Sequence, residues 1–143
     1  MSFEKVPEGF THTFRASTGL RQYQFVNLAS TASGRIARPT TNGVHIGVLI
    51  SSGTTGSTGR AGSTDSGSWQ TVQTAGIAKV LAGSSAIDVG GYVKASTDGL
   101  AAPTTGPTST SFVAGRALET VTSTSTSNSV VAVLLNHSQG FNA

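Results

Sequence analysis

The chain contains no cysteine, so neither a disulfide framework nor a thiolate metal site can hold it together, and stability has to come from packing, strand pairing or association. Charge is scarce as well: 10% of the 143 residues are charged, against a typical ~25%. Aromatics make up 6%, which leaves few rings for the aromatic platforms of a carbohydrate-binding site. No apolar run approaches the roughly 18 residues that span a bilayer, and Met1-Ser2-Phe3-Glu4-Lys5 lacks the apolar core of a signal peptide. The expectation is a soluble protein made in the cytoplasm, with no membrane partner.

What replaces charge is hydroxyl and glycine: 20 serines, 21 threonines and 18 glycines. Such a composition invites disorder, but disordered chains combine low hydrophobicity with high net charge, and this one is 36% apolar with recurrent β-branched runs. At 14.4 kDa it is long enough for one domain with a real core. The formal excess of +3 is too small and too dispersed for nucleic-acid binding. It is nonetheless lopsided, because Lys5, Arg15, Arg21, Arg35, Arg38 and Arg60 face only Glu4 and Glu8 in the first sixty residues. A basic N-terminal half suits an acidic partner surface.

Residues 1–18 carry Phe3, Phe10 and Phe14 without a helical stripe, and read as an extended N-terminal arm. Beyond them, short apolar runs alternate with Gly, Ser, Thr, Asn and Pro clusters, the pattern of strands and turns. Strands are expected at 23–28, 34–38, 44–50, 69–72, 75–81, 92–95, 99–102, 113–121 and 129–135, with no helix. The fold class that follows is all-β: one compact sandwich or barrel-like domain over 19–136, followed by a tail over 137–143. Val44, Ile46, Val48 and Ile50 should face the core, with His45 outward. The unbroken Val130-Val131-Ala132-Val133-Leu134-Leu135 should be a central strand. Residues 51–68 hold nothing apolar larger than Ala61 before Trp69, and read as a long Gly/Ser/Thr loop. The glycines at 53, 56, 59 and 62 have the collagen period, but too few triplets and no proline for a triple helix.

A weak internal duplication is the most informative feature. Val26, Gly34, Ile36-Ala37-Arg38-Pro39-Thr40-Thr41 and Gly47 are echoed by Val93, Gly99, Leu100-Ala101-Ala102-Pro103-Thr104-Thr105 and Gly115. Each copy reads as a strand, a glycine-closed turn, a short strand ended or edged by proline, and a third strand near a glycine. Two such units facing each other make one core.

The order of phrases along residues 19–135 resembles a family of small tailed-phage head-decoration (cement) proteins. The phrases are Gln24-Phe25-Val26-Asn27-Leu28, Gly43-Val44-His45-Ile46-Gly47-Val48, Ala75-Gly76-Ile77-Ala78-Lys79-Val80, Ile87-Asp88-Val89-Gly90-Gly91-Tyr92-Val93, Ala114-Gly115-Arg116-Ala117-Leu118-Glu119 and the terminal apolar run. The 51–68 insertion departs from the family pattern. The resemblance implies a β-tulip-like domain and a structural virion protein made in a bacterial host. It also implies a homotrimer at threefold or quasi-threefold positions on the outer capsid surface, bound to the major capsid protein and reinforcing the shell. The rival is a receptor- or carbohydrate-binding β module of a phage tail or fibre.

Within that reading the capsid-contact candidates are Phe3, Phe10, Phe14, Arg15, Arg21, Arg35 and Arg38. The arm suits strand addition to a neighbour's sheet. Trp69 and His45 are subunit-contact candidates, with core packing the alternative for the indole. No enzymatic activity, metal or cofactor is expected. Asp65-Ser66-Gly67 echoes a serine-peptidase phrase, yet it lies in a loop without rigid flanks, and His12, His45 and His137 form no close pair with a carboxylate.

Overall fold

A computed structural model describes residues 10–17, 19–29, 34–39, 45–51, 66–106, 112–122 and 129–135. The described residues form ten strands and no helix, in agreement with the all-β expectation. Strands β1 (Thr11–Ala16), β2 (Phe25–Leu28), β3 (Arg35–Ala37), β4 (His45–Leu49) and β5 (Trp69–Gln73) close into a barrel in the order β1-β3-β2-β4-β5. The remaining strands are β6 (Gly76–Leu81), β7 (Tyr92–Ala95), β8 (Ala101–Thr104), β9 (Gly115–Ala117) and β10 (Val130–Leu135). They form a second sheet in the order β6-β10-β9-β7-β8, and a parallel bridge between Ala82 and Ala101 brings its two ends together.

The duplication extends through all five strands of each half. In both halves the second strand lies between the third and the fourth, and the first pairs antiparallel with the fifth and parallel with the third. The register repeats residue by residue. Val26 stands opposite Gly47 and Val93 opposite Gly115, while Ala16 stands opposite Ile36 and Ala82 opposite Ala101. Backbone hydrogen bonds outside the strands repeat too. Ala16 N–H donates to Ser68 O (2.9 Å) as Ala82 N–H donates to Ser129 O (2.7 Å), and Ser17 N–H donates to Ile36 O (2.8 Å) as Gly83 N–H donates to Ala101 O (2.9 Å). Leu49 N–H to Gln24 O (2.9 Å) matches Ala117 N–H to Gly91 O (3.0 Å).

The glycine-closed turns are present as expected, with Gly34 at φ 75° and Gly99 at φ 76°, a region an L side chain enters only at a cost. The prolines are one step out of correspondence. Val93 pairs with Pro103, whereas the β2–β3 register, Asn27 with Ala37, brings Arg38 rather than Pro39 opposite Val26. Pro103 lies exposed within β8, which apart from the Ala82 bridge is a sheet edge where a missing N–H costs nothing.

Alternation along the strands builds two cores. Ala16, Leu20, Val26, Ile36, Leu49 and Val72 fill the first barrel. The second core is lined by β6 to β10 and also takes Phe25 and Val48, the outward neighbours of Val26 and Leu49. Strands β2 and β4 therefore contribute side chains to both cores.

Three expectations need correction. Thr11–Ala16, placed in the arm, is barrel strand β1, hydrogen-bonded on both sides. Its inward residues are Phe14 and the small Ala16, too little apolar mass to signal alternation. The 113–121 strand is reduced to β9, with Val121 returning only as a bridge to Ile87. His45 is buried, its ring centroid 5.5 Å from that of Phe25, because β4 has no solvent face. Residues 1–9, most of the 51–68 loop and the 137–143 tail lie outside the described residues.

Candidate functional site

Because Phe14, Ala16 and Ile36 point into the first barrel, Arg15 and Arg35 between them point out. Pairing places Arg35 beside Arg15 across β3 and β1, and Arg15 beside Trp69 across β1 and β5. The result is one outward cross-strand row, Arg35–Arg15–Trp69. Trp69 is 64% exposed, so the core alternative for the indole is set aside, and the Arg15 guanidinium carbon lies 5.1 Å from its ring centroid. A cation over an indole face is attracted by the ring quadrupole, worth about 0.5–1 kcal/mol at an exposed site.

Local contacts hold the row in place. Arg35 Nη1 donates to Ser66 Oγ (3.2 Å), and Arg38 Nη2, exposed just beyond β3, donates to Gly19 O (3.1 Å). The partners are a ring, a hydroxyl and a carbonyl, none of which cancels charge. Among the described residues Arg15, Arg21, Arg35 and Arg38 all belong to the first barrel, whereas Asp88, Asp98 and Glu119 all belong to the second half. Among the described residues the first barrel thus carries only basic charge, and Arg15, Arg35 and Arg38 form an electropositive wall beside the exposed Trp69. Arginine and tryptophan are the residue types enriched where protein interfaces concentrate their binding energy.

The other candidates lie elsewhere. Phe10 is at the opposite end of β1, where its carbonyl accepts from Thr74 N–H (2.7 Å). Phe14 packs against the first core, Arg21 is half-buried with its backbone N–H donating to Gln24 Oε1 (2.9 Å), and Phe3 is outside the described residues. The Ser66 hydroxyl serves Arg35, and among the described residues no cluster of three or more His, Cys, Asp or Glu assembles.

Sequence reasoning missed a second surface. Strand β10 does lie between β6 and β9, but it alternates, leaving Val130 and Leu134 exposed beside Ile77 and Leu118. The signal was available: an unbroken apolar run on a sheet covered on one side only must present half its residues to water.

No protein-family model matches the chain, and no curated protein does. Among solved structures the chain is similar to the head fiber gp8.5 N base of bacteriophage phi29. The TM-score is 0.63 at 23% identity, covering 92% of this chain and 98% of that one. At that identity the likeness is one of fold.

Proposed function

We propose that the chain is a structural virion protein that binds the outer surface of a phage capsid as a homotrimer, reinforcing the shell and meeting the major capsid protein through the Arg35–Arg15–Trp69 row. The observation that carries the reading is the fold shared along nearly the whole chain with the base of a phage head fiber. Fold alone does not imply function. One feature of the site adds support: the electropositive wall suits an acidic lattice, and a trimer would link three such walls and gain avidity from them.

The experiment is cryo-electron microscopy of heads incubated with the purified protein. Density on the outer shell at threefold or quasi-threefold positions supports the reading, and bare heads contradict it. The rival, a receptor-binding module of a tail or fibre, draws on the exposed Trp69, and density confined to the tail would favour it.

A further inference from the structure

The duplication supplies an internal control for the second surface. Equivalent outward positions can be compared between halves through the shared register: Thr11 with Ile77, Thr13 with Lys79, Trp69 with Val130, Thr71 with Ala132 and Ile50 with Leu118. The first half carries hydroxyls at three of these positions and the second carries Ile77, Lys79 and Ala132. At those three positions the same scaffold folds with hydroxyls, so Ile77 and Ala132 are not demanded by the fold, while at the other two Trp69 and Ile50 are apolar as Val130 and Leu118 are. Contiguous exposed apolar surface of this kind, rimmed by polar groups, marks an interaction site.

The face is shaped as well as apolar. Ile77, Lys79, Leu118, Val130 and Ala132 line a groove of about 600 Å³ that Tyr23 closes from the first half and Glu119 borders. Tyr23 is held at φ 66°, where its counterpart Gly90 has φ 79°. Both serve the same turn, Tyr23 N–H donating to Leu49 O (2.6 Å) and Gly90 N–H to Ala117 O (2.7 Å). A tyrosine kept at a strained position that a glycine fills in the other half points to a use for its side chain.

We propose that this groove is the contact with a second copy of the chain. The choice of occupant rests on charge. The described charges of the second half are balanced, Lys79, Lys94 and Arg116 against Asp88, Asp98 and Glu119. Lys79 and Glu119 border the same groove with opposite signs, so Lys79 of one copy can meet Glu119 of the next. The arginine wall, by contrast, would repel a copy of itself. The inference rests on the self-association in the reading above and not on the capsid.

The test is the mass in solution, by light scattering, of the full chain and of four variants. The wild type is expected at a multiple of 14.4 kDa. Leu118→Lys, Val130→Lys and Lys79→Glu are expected to fall to the monomer with an unchanged circular dichroism spectrum, while Thr71→Lys, at the first-half counterpart of the groove residue Ala132, keeps the wild-type mass. A wild type that is monomeric overturns both the self-association and this contact, including the case in which residues 1–9 of the same chain cover the groove. An oligomer that survives all three groove substitutions overturns this contact alone.

Discussion

Gly47 and Gly115 occupy the same place in the two halves of the molecule. Each lies opposite a valine of the second strand of its half, Val26 of β2 or Val93 of β7. Each is pressed against the strand that follows, where an added Cβ would collide with the carbonyl oxygen of Gln73 or Leu134. The same Cβ would come within 2.8 Å of Val72 Cγ1 or 2.9 Å of Val133 Cγ1. Two close approaches at one position of a repeated unit identify a constraint of the unit rather than an accident of either half.

Gly115→Ala and Gly47→Ala should therefore each cost about 1–3 kcal/mol by overpacking, with backbone displaced to make room. Gly90→Ala is the informative contrast. Nothing lies within 4 Å of its Cβ position, so the cost there is only that of a positive φ, about 1 kcal/mol. Denaturant unfolding of the three variants checks the ranking.

Phe25 belongs to a strand of the first barrel and to the core of the second half. Phe25→Ala should cost about 3–5 kcal/mol, the range for truncating a fully buried aromatic. Because the ring joins the two halves, the variant is expected to broaden or split the thermal transition. A single transition shifted by less than 1 °C would contradict the packing described.

The N-terminal boundary can be cut in two places with opposite results. Deleting residues 1–9 should leave a folded protein, because strand pairing begins with Thr11 opposite Gln73. Deleting residues 1–18 removes β1, which pairs with both β3 and β5 and contributes Ala16 to the core, and should abolish the cooperative transition. Calorimetry of the two truncations separates an arm from a barrel strand.

The strand pattern and the duplication were legible because Val26/Val93, Gly34/Gly99 and Gly47/Gly115 keep their chemistry. The remainder of the repeat was hidden because register, not residue type, is what persists. Thr71 N–H donates to Ser51 Oγ at 3.0 Å and its counterpart Ala132 N–H donates to Glu119 Oε1 at 2.7 Å, the same bond made with different side chains. At the candidate site, Arg15, Arg35 and Trp69 were each visible as residue types. That they form one row was not visible, since Arg15 and Arg35 meet through a parallel pairing that only the closed barrel creates. His45 was misplaced for a related reason: alternation cannot reveal a strand with a core on both faces.

Substitutions in the row should separate binding from folding. Trp69→Ala removes an indole that is mostly in water, so the loss of stability should not exceed the roughly 0.5–1 kcal/mol of its contact with Arg15. Loading onto heads should nevertheless weaken, and the effect of added salt on what remains should persist, because the arginines are still there. A loss of stability equal to the loss of loading would assign Trp69 a structural role instead.

The most direct measurement is co-sedimentation of the protein with undecorated heads assembled from the major capsid protein of the same genome, comparing the wild type with Arg15→Glu/Arg35→Glu. The account predicts saturable loading of the wild type that declines with salt, and none for the double variant, whose thermal transition stays within a few degrees of the wild type. Equal loading of both proteins, or none of either, would contradict it.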